Sequence, residues 1–220
     1  MRPSLQLSSK PTLPPCRPFM SGLPPSHLST LLDAAHFAAV AHSQQRRKSP
    51  AAPAYIEHPI DVARRLADVG SSLHPDPPVE ILQAAILHDT IEDTDVSAED
   101  LRRKFGDVVT RIVLECSDDK LLNKEARKQA QIDTAAHKSD EAKHVKLADK
   151  LSNLTDLISV HGRPKGWSVH RIQEYFIWSK RVTDQCVHVN PGIGAQLEEL
   201  YRGATFEHGG KRYKCHPDYQ

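Results

Sequence analysis

Adjacent histidine and aspartate residues, followed by two more acids, form the first group in this chain that could do chemistry. Glu92 follows His88 by four residues, and Asp93 follows Asp89 by the same interval. Residues four apart lie on one side of a helix, so these groups would cluster at one end of an otherwise apolar segment. Burying each of them without a partner would cost roughly a few kcal/mol. A cation would satisfy them together.

Two distant residues extend this group. His58 stands at the start of a predicted helix, and Asp149 lies within an apolar helical segment. A surface ion pair with Lys146 or Lys150 would explain Asp149 alone, but it would not explain the set. Two imidazoles with two carboxylates suit Mn²⁺, Fe²⁺ or Zn²⁺ and leave coordination positions open for water. The spacing H…HD…D is therefore a candidate metal site.

Helices must position these residues, because the chain shows no sustained alternation of apolar and polar residues with period two. Leu28 begins a helical pattern, and Ser97 with Asp100 resembles a capping box at the start of another helix. The charge-dense segment 119–133 predicts a mobile, solvated helix or loop. Further helices are predicted over 59–69, 79–91, 142–158 and 169–182. We expect an all-α helical bundle with minor β structure at most.

Composition limits the class of protein. The chain has 220 residues and a formal charge of +1, so it fits one domain and lacks a global basic field for nucleic acid or membrane surfaces. No apolar run approaches the roughly 18 residues of a membrane span. The 4 cysteines form no CxxC pair, which favours a reducing compartment. We predict a cytoplasmic protein whose partner is a small molecule, and its oligomeric state stays open.

The predicted organisation has three parts: a disordered tail over 1–27, one folded domain over 28–201 and a C-terminal tail over 202–220. The first part is rich in Pro and Ser and has no acidic residue before Asp33. Its basic residues without acids also allow organellar import as an alternative to a cytoplasmic location.

Several motifs resemble the hydrolase domain of RelA/SpoT proteins, in the stand-alone form found in animals, within the HD superfamily of metal-dependent phosphohydrolases. The resemblance covers roughly residues 31–200, and HDTIEDT together with KLADKLSN is specific beyond a generic His-Asp pair. The motifs stand at Gln45 to Lys48, Tyr55 to Pro59, His88 to Thr94, Lys146 to Leu154 and Glu174 to Phe176. The implied fold is an HD-domain helical bundle.

The resemblance also implies an activity: hydrolysis of the 3′-pyrophosphate of guanosine 3′,5′-bis(diphosphate), ppGpp, and of its pentaphosphate relative pppGpp. The products would be GDP or GTP and pyrophosphate, with Mn²⁺ as the usual ion and Fe²⁺ or Zn²⁺ as alternatives. Glu92 and Asp93 would orient water and transfer its proton, and the sequence leaves open which is the base. Carried over position by position, the metal ligands would be His58, His88, Asp89 and Asp149.

A substrate with four or five phosphates requires cations around it. By resemblance, Arg47 and Lys48 lie near the guanine and its phosphates, and Asn153 is placed to hydrogen-bond ribose or phosphate. Tyr175, one helical turn after Arg171, is a further candidate for substrate binding, and it could equally be a core residue. Candidates for the remaining contacts are Lys124, Arg127, Lys128 and Arg171, of which the first three have a solvated surface as an equal alternative. Thr155 departs from the Arg that many relatives carry there.

Three other functions remain alternatives at this point. The same site could remove the 2′-phosphate of NADPH. The chain could be a nucleotide sensor that binds without cleaving, or an HD-type deoxynucleotide monophosphatase. Both hydrolytic alternatives would use the same predicted metal site.

Overall fold

Helices account for most of the architecture in the computed structural model, which describes residues 26–69, 77–159 and 162–219. They are α1 (His27–Ala41), α2 (Glu57–Val69), α3 (Val79–Leu87), α4 (Thr90–Asp93), α5 (Ala98–Cys116), α6 (Lys124–Thr134), α7 (Asp140–Ile158), α8 (Val169–Thr183) and α9 (Pro191–Gly203). Single 3₁₀ turns follow α6 and α8 at Ala135–His137 and Val187–Val189. Strands β1 (Thr205–His208) and β2 (Lys211–Lys214) form one antiparallel hairpin. The predicted all-α bundle with minor β structure is confirmed.

One sequence prediction falls outside the described residues: the disordered tail before Ser26. Within the described ranges, no helix is long and apolar enough to cross a membrane.

Side-chain caps fix where several helices begin. Ser97 accepts a hydrogen bond from the backbone N–H of Asp100, whose carboxylate accepts one from the backbone N–H of Ser97, so the predicted capping box is present. Ser139 and Ser168 cap α7 and α8 in the simpler way. Gly106, with φ at +83°, interrupts α5 at a backbone conformation that favours glycine.

Helix α7 lies at the centre of the bundle and packs against α2, α3, α5, α8 and α9. Its buried leucines Leu147, Leu151 and Leu154 belong to the core. Each such side chain contributes about 1.5–3 kcal/mol of transfer free energy. Because α7 is enclosed on so many sides, its polar residues are also deep in the protein. Asp149, whose side chain is 15% exposed, is therefore held by its helix at the edge of the interior.

The predicted helix over 79–91 is interrupted at its polar end. α3 ends at Leu87, and His88 and Asp89 form a turn before α4. The Thr90 hydroxyl donates to the carbonyl of Leu87 at 2.7 Å, and His88 Nδ1 donates to the carbonyl of Ala85 at 2.8 Å. Side chains thus bond to carbonyls at the end of the helix, which favours its termination. The His-Asp pair consequently stands at a corner.

The charge-dense segment predicted to be a solvated helix or loop becomes α6. None of its residues is buried, and Asn123 caps its start. Two side chains outside α6 hold it: Trp178 Nε1 donates to the carbonyl of Lys128 at 3.0 Å, and Gln185 Nε2 donates to that of Ile132 at 2.6 Å. The helix is therefore attached mainly through polar contacts.

The C-terminal residues pack onto the bundle through the hairpin, whose Phe206 is buried. The guanidinium of Arg163 lies 4.9 Å from the centre of the Phe206 ring and donates to the carbonyl of Glu207 at 2.6 Å. The same side chain donates to the carbonyl of Leu157 at the end of α7, at 3.2 Å. Arg163 therefore links the hairpin to the end of α7.

Candidate metal centre and nucleotide pocket

The four side chains predicted as metal ligands converge on one point. His58 Nε2 lies 3.2 Å from Asp149 Oδ1, and His88 Nε2 lies 3.2 Å from Asp89 Oδ2. The crossed pairs, His58 with Asp89 and His88 with Asp149, are each separated by 3.9 Å. α2, the corner after α3, and α7 each supply part of the cluster. The structure thus brings together residues that are far apart in the sequence.

The hydrogen bonds of the two imidazoles fit a metal ion. A carbonyl can only accept, so the contact of His88 Nδ1 with Ala85 places the ring proton on Nδ1. The buried Nε2 of His88 then has no hydrogen-bond partner among the residues that the structure describes, and it directs a lone pair toward the carboxylates. Nδ1 of His58 is likewise engaged, at 3.1 Å from Ser152 Oγ. Lone pairs facing carboxylate oxygens repel unless a cation lies between them, so this donor set suits a divalent ion.

Electrostatics keep the acidic ligands charged. Burial by itself raises the pKa of Asp89, but the neighbouring imidazoles of His88 and His58 outweigh it and lower that pKa. Burial likewise opposes ionisation of Asp149, whose pKa is held well below its usual range by Lys150 and the two imidazoles. Burial lowers the pKa of His88, yet Asp89 and Asp149 raise it to about 9. The cluster therefore attracts positive charge, whether a proton or a metal ion.

Tyr55 is a site residue to which the sequence analysis gave no role. Its hydroxyl donates to Asp89 Oδ2 at 2.6 Å. Burial raises its pKa, and the nearby carboxylate of Asp89 raises it further, so the phenol stays protonated and remains a donor. Its position three residues before His58, in the same motif, was the available signal.

Glu92 and Asp93 face different cavities. Glu92 lines a cavity of about 160 Å³, the metal cavity, whose walls also contain the metal cluster, the name used here for the four side chains His58, His88, Asp89 and Asp149. Its Oε2 accepts the backbone N–H of Asp118 at 3.0 Å, and burial raises its pKa. Asp93 lines the adjacent cavity and lies 3.8 Å from the Lys120 ammonium. The geometry therefore separates two acids that the sequence could not tell apart.

The adjacent cavity has a volume of about 490 Å³ and joins the metal cluster through shared walls. Arg47 donates to Asn153 Oδ1 at 3.1 Å and to Asp156 Oδ2 at 2.7 Å. Asn153 in turn donates to Asp149 Oδ1 at 2.6 Å. Of the predicted substrate-binding residues, this cavity is lined by Arg47, Lys48, Asn153 and Tyr175, and it also contains Gln45 and Trp167.

Other predicted substrate contacts lie outside the cavity walls. Lys124 is exposed at the first residue of α6 and lines neither cavity. Arg171 is also exposed, and its guanidinium lies 4.3 Å from the ring centre of Trp167, a residue of the cavity wall. Arg127 Nη1 lies 4.0 Å from Glu92 Oε1. The Lys128 ammonium lies 5.0 Å from the ring centre of Trp178.

Two buried lysines add positive charge to the metal cavity. Lys146 and Lys150 are 5% and 4% exposed, and both line it. Lys150 Nζ lies 3.1 Å from Asp149 Oδ2, so the ion pair considered from sequence exists, but it is buried and belongs to the cluster. Lys146 Nζ lies 3.5 Å from Gln131 Oε1. Their spacing around Asp149 on α7 was visible in the sequence, whereas their burial required the fold.

Comparison with known proteins agrees with this geometry. Residues 34–172 match the HD domain family. The chain is 46% identical over 182 residues to the mouse protein named guanosine-3′,5′-bis(diphosphate) 3′-pyrophosphohydrolase MESH1, and the match covers 82% of this chain and 98% of the relative. The human protein of the same name matches with the same identity and coverage.

A solved structure gives the same result at the level of fold. It is described as a metazoan ortholog of SpoT that hydrolyses ppGpp and plays a role in starvation responses. Its TM-score is 0.74 at 39% identity, with 82% of this chain and 97% of that chain covered. The chain therefore belongs to the HD domain family, in the group that contains the animal MESH1 proteins.

Proposed function

We propose that this chain is a metal-dependent hydrolase that removes the 3′-pyrophosphate of ppGpp and pppGpp. The observation that carries the proposal is the convergence of His58, His88, Asp89 and Asp149 beside a cavity of nucleotide size. Relatives bearing the name of this activity match along 98% of their length. The oxygen of water bonds to the phosphorus that is attached to the 3′-oxygen, and the bond between that phosphorus and the 3′-oxygen breaks. The 3′-oxygen leaves as a hydroxyl after it takes up a proton.

The four clustered side chains are assigned as the ligands of one divalent ion, and we assign Mn²⁺ as that ion. When bound, it would lower the pKa of a coordinated water and offset negative charge on phosphoryl oxygens. Mixed imidazole and carboxylate sets also suit Fe²⁺ and Zn²⁺. Tyr55 supports this role, since its hydrogen bond to Asp89 Oδ2 fixes that carboxylate.

Glu92 is assigned as the group that orients the attacking water and accepts its proton. Its Oε2 is fixed by the N–H of Asp118, and we assign Oε1, which lies 4.0 Å from Arg127 Nη1, to the attacking water in the metal cavity. Burial raises its pKa toward the working range of a general base. Asp93, which faces the nucleotide cavity, is assigned to substrate placement there rather than to proton transfer at the ion.

The cations around the two cavities are assigned to the phosphates. Lys146 and Lys150 line the small cavity, where the 3′-pyrophosphate group of the substrate would meet buried ammonium groups. Arg47 spans both cavities, and its hydrogen bonds to Asn153 and Asp156 hold the guanidinium in place before substrate binds. Lys48 and Tyr175 line the larger cavity with Trp167. Flat aromatic and guanidinium surfaces there suit a stacked base.

An assay of the purified full chain with Mn²⁺ tests the proposal. We expect ppGpp to yield GDP and pyrophosphate in equal amounts, and Asp89→Asn to abolish the release. Asp68→Asn, on the exposed surface of α2, is the control that should retain it. NADPH, scored by phosphate release, and deoxynucleotide monophosphates are parallel substrates. Preferred turnover of a monophosphate, or ppGpp binding without cleavage that survives Asp89→Asn, would overturn the proposal.

A further inference from the structure

A chain of polar contacts through buried Ser152 lies behind His58, on the side away from the other predicted metal ligands. Ser152 is only 2% exposed, and its Oγ lies 3.1 Å from His58 Nδ1. The same hydroxyl donates to Asp61 Oδ2 at 2.8 Å. Asp61 follows His58 by one turn of α2, and Ser152 follows Asp149 by one turn of α7. The same two helices therefore hold both the His58–Asp149 pair and the contacts behind it.

The direction of these hydrogen bonds follows from the surroundings of Asp61. Arg65 Nε donates to Asp61 Oδ2 at 2.7 Å, and Arg64 Nη2 donates to Oδ1 at 2.7 Å. A carboxylate that receives two guanidinium groups is ionised and can only accept. The single hydrogen of the Ser152 hydroxyl must therefore point to Asp61. Its oxygen is then left to accept the Nδ1 hydrogen of His58.

His58 and His88 differ in how their tautomers are set. The Nδ1 hydrogen of His88 is fixed by a backbone carbonyl, which no side-chain substitution removes. The Nδ1 hydrogen of His58 is fixed by the side chains of Ser152 and Asp61. The orientation of the His58 ring thus depends on side chains outside the four clustered residues, whereas that of the His88 ring depends on the backbone.

We propose that Ser152 and Asp61 are positioning residues that lock His58 as the Nδ1–H tautomer, with Nε2 directed at the metal ion. This inference rests on the metal centre of the proposed function. Groups that bond the second ring nitrogen of a metal-ligating histidine typically change metal affinity or activity by roughly 10–100-fold. Without the serine hydroxyl, the imidazole is free to rotate or to carry its proton on Nε2, where it cannot bind the ion.

The test measures Mn²⁺ affinity directly, on the full chain freed of metal, by competition with a coloured chelator. We expect Ser152→Ala and Asp61→Ala to bind Mn²⁺ roughly 10–100-fold more weakly than the wild-type chain. Ser152→Thr retains the hydroxyl and should restore affinity to near the wild-type value. Asp68→Ala is the matched control, since it also pairs with Arg64 on α2 but does not reach Ser152, and it should leave affinity unchanged.

A second readout reports the tautomer itself. In ¹⁵N spectra of the imidazole rings, the wild-type chain should show His58 protonated at Nδ1, and Ser152→Ala should lose that single state. Mn²⁺ affinities of both alanine variants within twofold of wild type would overturn the positioning role of Ser152 and Asp61 while leaving the proposed function intact. If the wild-type chain binds no Mn²⁺, the proposed metal centre is wrong, and the positioning role of Ser152 and Asp61 is wrong with it.

Discussion

Replacing Asp149 with asparagine keeps the shape of the side chain while removing its charge, which makes it a sharp perturbation of the metal centre. An asparagine oxygen can still accept the hydrogen bond that Asn153 donates to Oδ1 at 2.6 Å. The other atom becomes an NH₂ group facing the Lys150 ammonium, which now lies 3.1 Å from Oδ2. The variant therefore loses an anionic metal ligand and the partner of a buried cation.

The expected magnitudes follow from these two losses. A divalent ion contributes several kcal/mol of transition-state stabilisation, and about 4 kcal/mol corresponds to roughly 10³-fold in rate. Breaking a buried ion pair costs about 3–5 kcal/mol of stability, and the low end applies because Lys150 keeps its contact with the Trp178 ring at 4.5 Å. For a domain of this size, that loss lowers Tm by roughly 6–12 °C. The protein should therefore remain folded at 25 °C.

Three measurements on the same preparation separate the effects: bound Mn²⁺ per chain, kcat for ppGpp, and Tm. Asp140→Asn is the matched control, because Asp140 lies on the same helix and pairs with Lys143 at 3.3 Å, away from the cluster. We expect the control to match the wild-type chain in metal content and rate. If Asp149→Asn is folded and keeps its rate within tenfold, the assignment of Asp149 as a ligand is wrong.

Three further predictions concern the base, the cavity wall and the ion. Glu92→Gln should retain bound Mn²⁺ and lower kcat by roughly 10²–10⁴-fold, the usual contribution of a general base, whereas the exposed Glu99→Gln should change neither quantity; unchanged kcat would refute the assignment. An added Cβ at Gly162 would lie 2.5 Å from the carbonyl oxygen of Asp156, so Gly162→Ala should displace Asp156, the partner of Arg47, and raise KM for ppGpp. Gly203→Ala is the control, since an added Cβ there meets no described atom within 4 Å, and it should leave KM unchanged. Equal KM values for the two variants would contradict the role of Arg47 and Asp156 in substrate binding. Removing metal with a chelator should abolish hydrolysis and Mn²⁺ should restore it, and full activity in a metal-free preparation would argue against any metal role.

The fold class and the metal cluster were accessible from sequence because both leave local marks. Apolar periodicity predicted helices that correspond to α1, α2, α3, α7 and α8, and the capping box at Ser97 placed the start of α5, whereas α9 was not predicted. Of the four proposed ligands, His88 and Asp89 lie in the HDTIEDT motif, Asp149 lies in KLADKLSN, and His58 lies in the motif from Tyr55 to Pro59. Residue type and spacing indicate such features directly, since the helical repeat determines which residues share a face.

Features that depend on packing were not accessible. The burial of Lys146 and Lys150 follows from the enclosure of α7 by five other helices, and a lysine in a sequence ordinarily indicates a solvated surface. The contact between Ser152 and His58 joins two helices far apart in the chain. The turn at His88 arises from side chains bonding to carbonyls, a local competition that periodicity does not report.

Anomalous diffraction at the manganese edge, from crystals grown with Mn²⁺, tests the metal centre most directly. The account predicts one strong peak per chain, within direct coordination distance of Nε2 of His58 and His88 and of a carboxylate oxygen of Asp89 and Asp149. A manganese peak elsewhere in the protein, with none among these four side chains, would contradict the account.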